Sequence, residues 1–351
     1  MEATKSFLLL QKLYETHDLS KEEWLYLLEH YTDALACSAR ELAHQVSTHY
    51  FGKRVYLRGL IEFTNICHRH CLYCGLRSEN ENVVRYRLDQ ETILACCEEG
   101  YKLGYRTFVL QGGEDTYFTD ERIEALVKGI HERYPDCAIT LSIGERSYAS
   151  YLRFYQAGAR RFLLRHETAS KQLYESLHPH MSFEHRIKCL KDLKTIGYQV
   201  GAGFLVGVPG QTMEDLVEDF CFLKQLDPHM VGIGPFMPQK DTPLGNFTSG
   251  TAEFTTFLLS LIRLMLPDVL LPATTALATL DPKGGEMGLL SGANVVMPNL
   301  SPIEVRHQYA LYDGKVYVGT ESALCQQQIL NNIENVGFIP DFSIGHSPRC
   351  C

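Results

Sequence analysis

The residues best suited to chemistry lie in one short loop, Thr64-Asn65-Ile66-Cys67-His68-Arg69-His70-Cys71-Leu72-Tyr73-Cys74-Gly75, which spaces Cys67, Cys71 and Cys74 as C-x3-C-x2-C. Three thiolates in so short a loop can each take one iron of a cubane. A [4Fe–4S] cluster usually has four cysteine ligands, so this loop would leave one iron open to a substrate or cofactor. Two other readings use the same residues. A structural zinc would need a fourth ligand, for which His68 or His70 is available, but such sites favour paired, separated knuckles. Incidental buried thiols are the other, although three at this spacing in one polar loop would be unusual. We read the loop as a cluster site.

Such a loop needs a scaffold. From Arg54 onward a short apolar strand, a Gly-containing or polar loop and an amphipathic helix alternate. Strands are expected at 56–64, 107–111, 138–143, 162–167, 199–206, 230–235, 270–275 and 295–298, with helices between them, for example at 91–103, 122–134, 183–196 and 213–226. Eight strands alternating with helices over roughly 250 residues are the pattern of a complete (β/α)8 TIM-type barrel, with a doubly wound open sheet as the competitor. The cysteine loop follows the first strand, at the end of the barrel where active sites form. Arg58, Glu62 and Thr64 share the parity of Leu60, as do Thr140 with Ser142 and Arg165 with Glu167, so each set faces one side of its strand. Charges on a barrel's inner face are costly to bury without partners, which points to a polar cavity. His166 has the opposite parity and is expected to pack against the surrounding helices.

Residues 1–50 show helical spacing of Phe7, Leu10 and Leu13, then Trp24, Leu27 and Leu28, and are read as an N-terminal helical segment. The barrel is assigned to 51–315, and a C-terminal helix and tail closing it to 316–351. With 33 basic and 42 acidic residues the chain carries a formal charge of −9, which argues against nucleic-acid binding. No signal peptide is visible, and the apolar stretch at 257–271 is interrupted by Arg263, Pro267 and Asp268, which argues against a membrane span. A cytoplasmic location follows, where twelve cysteines should not be read as disulfides.

The cysteine loop with Tyr73 before its last thiol, placed after the first barrel strand, resembles the radical S-adenosylmethionine (SAM) superfamily. The resemblance implies a [4Fe–4S] cluster on Cys67, Cys71 and Cys74, and SAM on the open iron, cleaved by one electron to methionine and a 5′-deoxyadenosyl radical. Gly112-Gly113-Glu114 resembles the clamp on the methionine amine; a plain strand-to-helix turn is the alternative reading. Glu167 resembles the ribose-binding carboxylate and Arg186 the partner of the SAM carboxylate, although either residue type also serves as an ordinary ion-pairing group. Tyr73 is implied near the adenine, and Ser142 among the cofactor contacts.

Further segments narrow the resemblance over about residues 50–315. They are Cys71-Leu72-Tyr73-Cys74-Gly75-Leu76-Arg77, Leu110-Gln111-Gly112-Gly113-Glu114-Asp115, Leu163-Leu164-Arg165-His166-Glu167-Thr168, residues 206–212, Met230-Val231-Gly232-Ile233-Gly234-Pro235-Phe236, Pro272-Ala273-Thr274-Thr275-Ala276 and Gly292-Ala293-Asn294-Val295-Val296-Met297-Pro298-Asn299. Together they resemble the HydE family of [FeFe]-hydrogenase maturases, with methylornithine synthases nearby and biotin synthases further off. The resemblance implies a small cysteine-bearing iron carbonyl/cyanide substrate, held by Arg58, Gln111, Thr140, Arg165, Met230, Thr274, Thr275, Met297 and Tyr312. It also implies transient contact with other hydrogenase maturases and an electron donor. Two alternatives stand beside it: a radical SAM amino-acid mutase such as methylornithine synthase, and a non-catalytic Fe–S carrier or scaffold. A second C-terminal C-x7-C-x2-C set found in some family members would fall on Tyr317, Cys325 and Gln328, so no second cluster is expected. Cys350 and Cys351 are read as a frayed tail.

Overall fold

A computed structural model describes residues 2–316 and 323–350. Three helices come first, α1 (Glu2–Thr16), α2 (Lys21–Glu29) and α3 (Asp33–Phe51). The alternating region follows: β1 (Arg54–Leu57), β2 (Gly59–Thr64), α4 (Gln90–Lys102), β3 (Thr107–Gly112), α5 (Asp120–Arg133), β4 (Ala138–Ser142), α6 (Tyr148–Ala157) and β5 (Ala159–Leu163). It continues with α7 (Lys171–Leu177), α8 (Phe183–Ile196), β6 (Gln199–Ala202), β7 (Leu205–Val206), α9 (Met213–Leu226), β8 (Met230–Val231), β9 (Gly234–Pro235) and α10 (Ala252–Met265). The last elements are α11 (Thr275–Leu280), α12 (Gly284–Leu290), β10 (Val295–Val296), α13 (Ile303–Arg306), α14 (Ala323–Asn335) and β11 (Ile339–Asp341).

Six strands form one parallel sheet in the order β2-β3-β4-β5-β6-β8. Beyond β8 the parallel pairing continues as isolated bridges, Met230 with Leu270 and Pro272 with Val295. β10 pairs with β1, and Asn299 bridges Leu60 on β2. The result is a TIM-barrel-like parallel α/β fold. Several expected strands are shorter or broken. The fifth stops at Gly203, whose φ of +151° favours glycine and where a Cβ would lie 1.9 Å from Gly232 O. The fourth begins at Ala159 and ends at Leu163, before Arg165 and Glu167. The seventh survives only as bridge residues, and Thr275 already opens α11.

The N-terminal helices pack through most of the residues at helical spacing, Leu10 among them, but Phe7 is exposed. Leu13, Leu27 and Leu28 are buried, and Trp24 stacks on Phe220 of α9 with ring centroids 4.4 Å apart. Capping boxes at Ser20/Glu23 and Thr212/Asp215 start α2 and α9, each satisfying backbone donors that a helix start leaves free. α10 is buried nearly all round; its Arg263 donates to the Gly292, Pro267 and Val269 carbonyls. No described helix is long and apolar enough to cross a membrane.

The C-terminal segment runs across the end of the sheet opposite the cysteine loop. β11 pairs in parallel with β1, Arg54 opposite Ile339. Arg161 of β5 donates to the carbonyls of Ile344 (2.9 Å) and Gly345 (3.0 Å), and Thr107 of β3 to Ile344 O (2.9 Å). Tyr317 and Cys351 lie outside the described residues, as do the side chains of Cys325 and Cys350.

Candidate active site

Cys67, Cys71 and Cys74, all partly exposed, line one cavity with Gly112, Gly113, Glu114, Ser142, Glu167 and Arg186. The end of β3 presses directly on the loop: a Cβ on Gly113 would lie 2.2 Å from Ile66 O and 2.8 Å from Cys67 Cβ. Glycine is what that approach requires. It lets the Glu114 N–H donate to Cys67 Sγ at 3.4 Å, a contact that stabilises negative charge on sulfur. Burial pushes all three thiols up, Cys71 well above the usual range and Cys74 to about 12, and at Cys71 and Cys74 the neighbouring thiols add to the effect. Without metal the loop therefore holds three protons that a metal must displace. Among the described residues no three His, Cys, Asp or Glu side chains are placed to share a single ion; a cubane instead takes one thiolate per iron.

Beside the thiols runs a chain of charges. Arg69 donates to Glu114 Oε2 (2.8 Å) and Glu145 Oε2 (3.0 Å), and Arg186 to Glu145 Oε1 (2.7 Å) and Arg165 O (2.5 Å). Arg186 sits on the buried stripe of α8 with Cys189, Leu190 and Leu193. Burial opposes its charge, but Tyr174 and Glu145 outweigh that and hold it protonated. Glu145 and Arg69 escape a reading by motif, because neither stands out in sequence; only the fold brings them to Arg186.

Glu167 lines the cavity at φ +67°, and Arg165 reaches it at 3.3 Å while donating to Phe204 O at 2.8 Å. His166 turns the other way, fully buried against Asp219 of α9, as its parity requires. Tyr73 lies deep in the cavity wall. His178 Nδ1 faces the Tyr174 carbonyl at 2.8 Å and so carries the proton, which leaves Nε2 to accept from the Tyr73 hydroxyl at 3.0 Å. Burial, aided by the Arg186 charge, holds the imidazole down to about 3, so it stays neutral. His178 and Met181 line the cavity too; nothing in their spacing marks them.

The expected substrate contacts divide among three places. Gln111, Arg165, Thr274 and Tyr312 line the main cavity with the cysteines. Arg58, Thr140, Met230 and Met297 line a smaller chamber deeper in the sheet. Thr275 faces a side cavity, which Thr274 and Met297 also border, between α11, α12 and α14. Arg58 donates to Met230 Sδ at 3.1 Å and, weakly, to Gly345 O at 3.4 Å; burial lowers it to about 10, so it stays a cation.

Thiols gathered on a loop at the carboxyl end of a parallel, barrel-like sheet, with a glycine turn pressed against them, define an enzyme class: those that work on SAM with an iron–sulfur cluster. Residues 61–223 match the family described as the Radical SAM superfamily. Over 309 residues, 88% of each chain, the sequence is 45% identical to the [FeFe] hydrogenase maturase subunit HydE of Thermotoga maritima. It is 32% identical to 3-methylornithine synthase of Methanosarcina acetivorans over 84% of each chain. The crystal structure of methylornithine synthase (PylB) is similar at a TM-score of 0.84 and 29% identity, covering 95% of this chain and 97% of that one. The maturase HydG of Carboxydothermus hydrogenoformans shares the fold, with a TM-score of 0.80 at 20% identity over 97% and 80% of the two chains. The chain belongs to the radical SAM superfamily, in the family of the HydE hydrogenase maturases. It is a radical SAM enzyme and uses a [4Fe–4S] cluster and SAM.

Proposed function

We propose that this enzyme acts on a small cysteine-bearing iron carbonyl/cyanide complex during assembly of the [FeFe]-hydrogenase active site. Cys67, Cys71 and Cys74 hold the cluster; Gly112, Gly113, Glu114, Ser142, Glu167, Arg186 and Tyr73 receive SAM. When bound there, a reduced cluster would supply the electron for SAM cleavage. The chain's own part is to bind, orient and exclude water. In this reading eight strand positions would close the barrel, the six-stranded sheet being extended by the bridges at 270–272 and the pairing of β10 with β1. Residues 339–347 close its floor. Closure keeps water and stray reactants from a radical.

The observation that carries the substrate class is a set of buried polar atoms without protein partners in the two chambers: Arg165 Nε and Thr274 Oγ1 above, Arg58 Nε and Thr140 Oγ1 below. Each costs about 1–3 kcal/mol when left unmade, and two cations with two hydroxyls suit a small anion that fills both levels. Identity with HydE over most of both chains supports the same assignment. A transient electron donor and other maturases are the protein partners, and the cytoplasm is the location.

The test is anaerobic reconstitution with iron and sulfide, scored by EPR and by 5′-deoxyadenosine formation. Wild type is expected to carry a SAM-responsive cluster and Cys71→Ala to lack it; a SAM-responsive cluster in the variant would overturn the ligand set. Cleavage stimulated by the iron complex is expected. The likeness to methylornithine synthase supplies the competing substrate, so lysine is run in parallel; a rearranged amino-acid product would transfer the enzyme to that activity. A cluster that forms but never cleaves SAM would leave only a carrier.

A further inference from the structure

Glu167 occupies the left-handed region at φ +67°, which costs an ordinary residue about 1–2 kcal/mol. Such strain persists only where the surroundings over-determine it. Here they converge on one atom. Asp219 Oδ1, from α9, accepts from the His166 ring at 3.1 Å and from the Ala169 N–H at 2.5 Å, so one carboxylate oxygen ties down both flanks of Glu167. The other ring nitrogen, Nδ1, accepts from the Gly203 N–H at 3.2 Å, which places the ring proton on Nε2, facing the acid. Glu167 itself donates its N–H to Gly203 O (3.0 Å), and its carbonyl accepts from Leu205 N–H (2.9 Å).

Asp219 and His166 are wholly buried and absent from the cavity wall, with His166 packed between Phe204 and Phe222. Asp219 interrupts an otherwise apolar stripe of Leu216, Phe220 and Leu223 on α9. A carboxylate there costs stability relative to an apolar side chain. What it does is fix the backbone of residues 166–169.

We infer that Asp219, acting through His166 and the Ala169 amide, is a positioning residue that presents Glu167 to the ribose of SAM. The inference rests on the SAM-binding role assigned to Glu167 above. SAM binding to the reconstituted full-length protein is measured by equilibrium dialysis, with iron content and thermal unfolding followed in parallel. Asp219→Leu and His166→Phe are each expected to weaken SAM binding about 10-fold or more, with iron content unchanged. Asp219→Asn keeps an oxygen acceptor for both donors and is expected to stay within about 3-fold of wild type. In a Glu167→Gly background the same Leu and Phe substitutions should change SAM binding less than about 2-fold, because residues acting as one unit are not additive. Should Asp219→Leu not fold, His166→Phe carries the test, since it keeps the ring packing. Full additivity in the Glu167→Gly background overturns the inference, as does wild-type SAM binding in His166→Phe. Parallel loss of iron and SAM binding in both variants also overturns it, as general collapse. If Glu167→Gln binds SAM like wild type, the reading of Glu167 itself fails and takes the inference with it.

Discussion

At the scale of single residues, this site is built from side chains held in unfavourable states by their neighbours. Glu167 shows the conflict most plainly. Glycine at that position removes the left-handed penalty but adds backbone entropy to the unfolded chain. Glu167→Gly is therefore expected to raise unfolding stability by about 0.5–1 kcal/mol while SAM binding falls, as a denaturant titration beside a binding isotherm will check. His178 gives a pH signature. Its folded pKa is held down to about 3 against about 6.5 unfolded, so below pH 6.5 the unfolded chain takes up the proton first. The stabilisation is complete above that pH and is lost as pH falls toward 3, at up to about 1.4 kcal/mol per pH unit. The urea midpoint should drop between pH 7 and pH 5, and drop less in His178→Gln. An equal drop in the variant would assign the acid sensitivity elsewhere; His166, His229 and His346, also lowered by burial, are other histidine sources.

At the scale of elements, the contact between β3 and the cysteine loop sets the spacing that the proposed cluster ligands need. Gly113→Ala drives a Cβ into Ile66 O and Cys67, and neither is the free end of a flexible side chain. Iron bound per chain should fall several-fold after reconstitution, with a stability loss of about 1–3 kcal/mol from forced backbone shifts; full iron loading would show that the loop can retreat. The elements also show what a sequence can and cannot display. C-x3-C-x2-C and Gly-Gly-Glu are local, and parity correctly turned Arg165 and Glu167 one way and His166 the other. The break at Gly203 was not legible, because it arises where neighbouring strands crowd each other, Gly203 against Gly232. Asp219 left a faint mark, a lone acid in an apolar stripe of period 3.6. Glu145, Arg69 and His178 left none, since the partners that bring them to the site are 41 to 105 positions away. Thr274 and Thr275, adjacent in sequence, part company because Thr275 enters α11 while Thr274 remains its N-cap with a hydroxyl aimed at the cavity.

At the scale of the whole molecule, the two ends of the sheet do different work. The carboxyl end carries the chemistry; the opposite end is occupied by residues 339–347, whose carbonyls receive Arg161 and Thr107. Arg161 is fully buried, so removing those acceptors takes hydrogen bonds from a cation in the interior, along with the pairing of β11 to β1. Truncation after residue 337 is expected to cost about 3–5 kcal/mol, seen as a lower denaturant midpoint; an unchanged midpoint would mean that water or another group satisfies Arg161. Arg349 adds a surface clasp to Asp227 and Asp268, worth less because all three remain partly exposed.

The floor also imposes an order of events. Residues 339–347 leave the ribosome after every strand of the sheet, yet β11 must lie beside β1, one of the first strands made. Pairings so distant along the chain form late. Until then Arg58 and Arg161 stand in water, and the nascent barrel is a tube open below. The floor of the cavity is thus closed after the strands that surround it, by a segment that follows them in the chain.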